Sequence, residues 1–275
     1  MQRRRALEVR ADLSRAALTP DRRGQAEAVG VNLRGVIRLS VNVNKVATVR
    51  NSRGGVVPDV LAAVRACVAA GAPGITVHPR SDERHITRAD TREIAALLRA
   101  AHPHAEFNIA GAPRPDWMEL VLETRPPPAT LVPVRPGEVT SEAGFDPKAD
   151  SSQVREAVER LKPLGIRVSL FVDAEPEPIE WAKSVGADRV ELYTEPFARA
   201  YASGGLQARE SFDRYKRAAE LAHGLGLGIN AGHDLDLENL TLFRQLPHLD
   251  EVSIGHALIS RALFVGLTQV VQEYL

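Results

Sequence analysis

The chain has 275 residues with 35 Lys plus Arg against 35 Asp plus Glu, so no global field recruits nucleic acid or a membrane surface, and any anion site must be local. With 44% hydrophobic and 25% charged residues it has the make-up of a globular protein, long enough for one large α/β domain or two small ones. A single cysteine, Cys67 in the apolar stretch VLAAVRACVAA, excludes an intrachain disulfide framework or cysteine-based zinc site, fits a reducing cytoplasm, and is expected to be a buried, inert thiol. No apolar run reaches ~18 residues, so no membrane span is expected.

Residues 1–35 are rich in Arg and Ala, lack a signal-peptide apolar core, and carry Glu8, Asp12 and Asp21, which argue against an organellar transit peptide. They read as a flexible or weakly helical extension with no assigned function. From residue 36 to 275 a single domain is expected.

The stretch Leu39–Gly54, LSVNVNKVATVRNSRG, opens as a strand with Leu39, Val41 and Val43 alternating against Ser40, Asn42 and Asn44. It then turns polar through Asn44, Lys45, Arg50, Asn51 and Arg53, which reads as a loop forming one wall of an anion site. Further strands are predicted at GITVH from Gly74, AEFNI from Ala105, ATLVP from Ala129, IRVSLFVD from Ile166, DRVELY from Asp188, LGINAG from Leu227 and EVSIGH from Glu251. Helical patterns such as PDVLAAVRACVAAGA and QVREAVERLKPLG separate them and end near Gly. About eight β/α units in ~240 residues predict an α/β fold, a single (β/α)8 barrel with extra short helices. A doubly wound open sheet is the alternative, but no G-x-G-x-x-G follows the first strand. The connection TEPFARAYASGGLQARESF is long enough to hold an extra helix and suits a lid or an oligomer contact.

In such a barrel the active site lies at the C-terminal strand ends. Those ends deliver Asn42, Asn44 and Lys45; His78, Arg80, Arg84 and His85; Asn108 and Ala110; Thr140; Asp173; Glu191, Tyr193 and Glu195; Asn230 and His233; and Gly255 with His256. Nothing comparable is expected at the N-terminal ends. The NAGHD and SIGHAL motifs place Gly and His where strands seven and eight meet their helices, whose free N–H groups suit a phosphate. Arg50, Arg53, Arg80 and Arg84 suit a second anionic group, so two phosphorylated small molecules are the expected partners. His78 and His233 are candidate proton shuttles and Glu191 the carboxylate nearest the chemistry. A single histidine at a strand end is more often a structural hydrogen-bond partner; two of them with a facing Glu and basic loops weigh against that. No H-x-x-x-H or H-E-x-x-H spacing supports a metal site, and Lys45 as a Schiff-base lysine is weighed below a phosphate or carbonyl contact.

The motifs VNVNKVATVRNSRGG, GITVHPRSDERHI, FNIAG, VTSEAG, NAGHD and IGHALI, in this order from Leu39 onward, resemble the pyridoxine 5′-phosphate synthase family. The resemblance implies a (β/α)8 barrel, assembled as dimers in a homo-octamer, that condenses 1-deoxy-D-xylulose 5-phosphate with 3-amino-2-oxopropyl phosphate and needs no metal or organic cofactor; a cytoplasmic location is expected from the lone cysteine. It implies that Asn42, Arg53, Gly255 and His256 contact the aminoketone phosphate, and that Arg80, His85 and Thr140 hold the deoxyxylulose phosphate. His78 resembles a proton acceptor, His233 a proton donor and Glu191 a transition-state stabiliser. Asn44-Lys45 stands where some members have Asp-His and others Asn-Lys, and Asp234 stands where some have a phosphate-binding Gly. Ala110 occupies the place of a general-base Glu. Two readings fit that methyl group: a relative whose chemistry has changed, or a Glu-to-Ala substitution that traps substrate. The alternatives are a divergent barrel condensing another amine with a phosphosugar, and a non-catalytic phosphate-ligand sensor.

Overall fold

The computed structural model describes residues 36–135 and 140–275, and the expected extension, residues 1–35, lies outside them. Eight strands, β1 (Arg38–Asn42), β2 (Gly74–Val77), β3 (Glu106–Gly111), β4 (Pro128–Leu131), β5 (Arg167–Val172), β6 (Arg189–Tyr193), β7 (Gly228–Gly232) and β8 (Leu249–Ile254), close into a barrel in chain order. All pairs are parallel, and β8 returns to β1 with Val41 opposite Ile254, so the open doubly wound alternative does not apply. The helices are α1 (Asn44–Asn51), α2 (Val60–Ala69), α3 (Arg88–Ala101), α4 (Pro115–Thr124), α5 (Ser151–Leu161), α6 (Pro176–Ser184), α7 (Glu195–Ser203), α8 (Gly205–Gly224), α9 (Leu240–Phe243), α10 (His256–Val265) and α11 (Leu267–Tyr274), with a 3₁₀ turn at Lys162–Leu164. Among the described residues no helix is long and apolar enough to cross a membrane.

Local chemistry starts and stops these helices. Asp59 accepts the N–H of Leu61 to cap α2, and Thr87 with Asp90 forms a reciprocal capping box on α3. Proline in the first turn opens α4, α6 and α7, where its missing N–H has no helical partner to lose. The extra helix expected in the long connection after β6 is α7.

Strand alternation divides two environments. Leu39 and Val41, Ile75 and Val77, Leu170 and Val172, and Val190 and Leu192 are fully buried in the shell between barrel and helices. Burying one such side chain contributes about 1.5–3 kcal/mol. Cys67 of α2 lies in the same shell, and burial pushes its thiol up to about 12. The barrel interior is polar instead. Ser40 and Thr76 share a hydrogen bond of 2.7 Å, Asn108 donates to Thr76 at 3.2 Å, and Thr130 donates to Asn108 at 3.1 Å.

The barrel floor corrects one expectation, because the N-terminal strand ends do carry a polar set. Glu106 accepts from Arg167 at 2.6 Å and lies 3.5 Å from Arg38, while Arg189 donates to Asn230 and Asp250 at 2.9 Å. The inward phase that places Ser40, Asn108 and Ser169 inside the barrel also places Arg38, Glu106 and Arg167 beneath them. The opposed charges satisfy one another, and at this end of the fold such pairing reads as stability.

Candidate active site

Where the C-terminal strand ends converge, a cavity of about 560 Å³ opens. Thirteen of the fourteen residues singled out as the site line it: Asn42, Asn44, Lys45, His78, Arg80, His85, Ala110, Thr140, Glu191, His233, Asp234, Gly255 and His256. The exception is Arg53, exposed beyond the end of α1 and away from the cavity wall.

The polar run after β1 is a helix, not a loop. Helix α1 begins at Asn44, directly after Val43, and the spacing of Asn44, Lys45 and Thr48 puts all three on the cavity side. Asn42 Oδ1 accepts the Asn44 N–H at 3.0 Å, and Asn44 Oδ1 accepts the backbone N–H of His78 at 3.0 Å, tying the tips of β1 and β2 together. Arg50 and Asn51 serve the scaffold. Asn51 donates to the His85 carbonyl at 2.8 Å, and Arg50 forms a bidentate pair with Asp90. Of the four arginines expected to clamp an anion, only Arg80 and Arg84 reach the cavity.

The two histidines after β2 are held neutral. Burial, followed by the charges of His85, Arg80 and Arg114, lowers His78 to about 3, and its buried Nε2 has no hydrogen-bond partner. Burial, then Lys45 and Arg80, lowers His85 to about 4. His85 Nδ1 accepts the Ile86 N–H at 2.9 Å, so in the neutral ring Nε2 carries the hydrogen and can donate to a ligand.

Across the mouth, burial and then the neighbouring Glu251 raise Glu191 to about 7. Gly232 makes room for it, since a Cβ there would lie 2.8 Å from the Ser253 carbonyl oxygen and 3.1 Å from Glu191 Oε1. A carboxyl balanced between its two forms near neutrality suits proton transfer.

His233 follows with φ +93°, a left-handed conformation unfavourable for a residue with a side chain. Its Nδ1 lies 2.5 Å from Asp234 Oδ2 and its Nε2 2.6 Å from Thr140 Oγ1. No helix starts here: residues 233–239 form a loop before the short α9, so the backbone cradle expected after strand seven is replaced by a His–Asp pair. After strand eight a helix does start at once. Gly255 precedes α10, no side chain caps that helix, and His256 is its first residue.

The β3–β6 side carries an apolar cluster. Ala110, Val132, Phe171 and Tyr193 cluster there, and Trp117 fixes the turn by donating to the Ala110 carbonyl at 3.1 Å. Thr48, Val132, Ser141, Phe171 and Ser253 also line the cavity without having been singled out. Phe171 could have been found, because it shares the inward phase of Ser169. Asn108 and Asn230 sit inside the barrel below the mouth, Asp173 Oδ1 accepts the Gly144 N–H at 3.3 Å, and Glu195 pairs with Arg199 on α7. No residue of α7 lines the cavity.

The model of the family "Pyridoxal phosphate biosynthesis protein PdxJ" matches residues 39–275. A protein of Bacteroides thetaiotaomicron named pyridoxine 5′-phosphate synthase is 52% identical over 238 residues, covering 86% of this chain and 97% of the relative. One of Leptospira biflexa with the same name is 48% identical over 249 residues, covering 86% and 95%. Among solved structures, thiamine phosphate pyrophosphorylase from Pyrococcus furiosus superposes with a TM-score of 0.56 at 14% identity, over 86% of this chain and 93% of that one. 3-Keto-L-gulonate-6-phosphate decarboxylase from Vibrio cholerae gives 0.57 at 11%, over 86% and 94%. At such identities these two structures speak for the fold alone.

Proposed function

This chain belongs to the PdxJ family of pyridoxal phosphate biosynthesis proteins, and on that premise we propose that its barrel mouth is the active site of a pyridoxine 5′-phosphate synthase. The reaction closes the pyridine ring from 1-deoxy-D-xylulose 5-phosphate and 3-amino-2-oxopropyl phosphate, with loss of phosphate and water. The observation that carries this reading is the gathering of His78, Glu191 and His233 around one cavity between a helix-start cradle and a basic wall.

Gly255, His256 and Asn42 hold one phosphate at the α10 start, and Arg80, His85 and Thr140 hold the other. Amine attack on the deoxyxylulose carbonyl gives an imine, phosphate leaves, and an aldol-type step closes the ring. His78, held neutral by burial, accepts a proton; His233 returns one to a departing oxygen; Glu191 faces the charge that develops between them. Ala110 supplies no base, and losing a positioned base costs about 10²–10⁴ in rate. The chain is therefore a slow synthase. It acts in the cytoplasm as a homo-oligomer, with the exposed Val56, Val57, Leu263 and Phe264 as apolar surface for an assembly to cover.

The test is to supply both phosphates and follow release of inorganic phosphate. Release that requires both substrates supports the reading. Release with a different amine in place of the aminoketone favours the divergent enzyme, and tight binding of one phosphate ester without any release favours the sensor.

A further inference from the structure

We infer that Asp234 is a positioning residue that fixes the tautomer of His233, so that Nε2 faces the substrates as a proton acceptor in the resting site; this rests on the synthase reading only for its kinetic consequence. A carboxylate can only accept, so at 2.5 Å from Asp234 Oδ2 it is Nδ1 of His233 that carries the hydrogen. In the neutral ring Nε2 is then the acceptor, and the Thr140 hydroxyl donates to it at 2.6 Å.

The surroundings leave the ring little freedom. Tyr193 meets it edge-on at 5.5 Å and Phe171 stands 6.4 Å away. The backbone on either side is pinned: Thr194 Oγ1 donates to the Gly232 carbonyl, and Asn239 Nδ2 donates to the Asp234 carbonyl at 3.0 Å. Asn239 in turn accepts the Asp236 N–H at 2.9 Å. The strained backbone at His233 and this bracing together present the Asp234 side chain to Nδ1. When the carbinolamine formed by amine attack takes the place of Thr140, its N–H proton passes to Nε2 while Nδ1–H stays hydrogen-bonded to Asp234. The carboxylate complements the imidazolium so formed, and the same proton then passes from Nε2 to the carbinolamine hydroxyl, which leaves as water as its C–O bond breaks and the nitrogen electron pair forms the C=N bond.

The experiment is ¹⁵N–¹H correlation spectroscopy on protein labelled at histidine, with His233 assigned by the signal lost in His233→Gln. The unaltered chain should show His233 as the Nδ1–H tautomer. Asp234→Ala, which has no acceptor, and Asp234→Asn, whose amide can donate to Nδ1, should both move it toward Nε2–H. In turnover, both variants should lower kcat about 10- to 100-fold with KM for either phosphate changed less than about twofold, and Asp234→Glu should recover part of the loss. A His233 already in the Nε2–H form, or one whose tautomer is the same in all three proteins, overturns the inference. If the unaltered chain makes no product, the synthase reading fails, while the tautomer measurement still decides the role of Asp234.

Discussion

Arg50 and Asp90 face each other through two contacts of 2.5 and 2.8 Å, although 40 residues separate them in the chain. The pair joins α1 to the capping box of α3, where Asp90 also accepts from the Thr87 N–H and hydroxyl. Burial opposes ionisation of Asp90, but the hydrogen bonds from Arg50 and Thr87 outweigh it and hold the carboxyl below its ordinary range.

Asp90→Ala should therefore destabilise the fold by about 3 kcal/mol, because it strands a largely buried guanidinium and removes the reciprocal half of the α3 capping box. With the folded pKa depressed, the contribution of Asp90 is present above the unfolded value of about 4 and is lost as pH falls through the folded one. Urea midpoints of the two proteins should converge at the acid end and separate above pH 5.

His78 is lowered to about 3, mainly by burial. The folded state refuses a proton that the unfolded chain takes up below about 6.5, so this group removes stability as pH drops from that value. His78→Asn should flatten the fall in urea midpoint between pH 6.5 and 4.5. It should also lower turnover at least about 10²-fold, since Asn cannot accept the proton. An unchanged pH slope would show that His78 is solvated.

Glu191 is raised to about 7, so its burial costs stability progressively as pH rises from about 4.3 toward 7. Glu191→Gln should be more stable than the unaltered chain at pH 8 and about equal to it at pH 4, measured by thermal unfolding. The same variant should lose about 10²-fold or more in kcat. More stability with less activity is the signature of a group placed for chemistry.

The strand ends were legible because period-two alternation with Gly and Pro punctuation fixes which residue each strand delivers to the mouth. Asn42, His78 and Glu191 follow directly from that rule, whereas His233 is out of phase with Asn230 and Gly232 and reaches the mouth through its left-handed backbone. Arg50 did not, because its partner lies on a different helix and no local pattern marks the pair. The polar run after β1 hid a helix, which sends Lys45 to the cavity and Arg50 to the scaffold. In the sequence Asp234 shows only as a residue standing where some relatives have a phosphate-binding glycine, and side-chain geometry alone reveals its bond to His233. The paired charges of the barrel floor were missed because each strand-opening Arg or Glu, taken alone, reads as a solvated flank.

The most direct measurement compares the rate of pyridoxine 5′-phosphate formation from the two phosphates by the unaltered chain and by Ala110→Glu. Residue 110 faces the cavity beside Val132 and Phe171, so a carboxylate there meets the substrates. The account predicts slow but real formation by the unaltered chain and a gain of about 10²–10⁴ for Ala110→Glu. No product from either protein, or no gain from the added carboxylate, would contradict it.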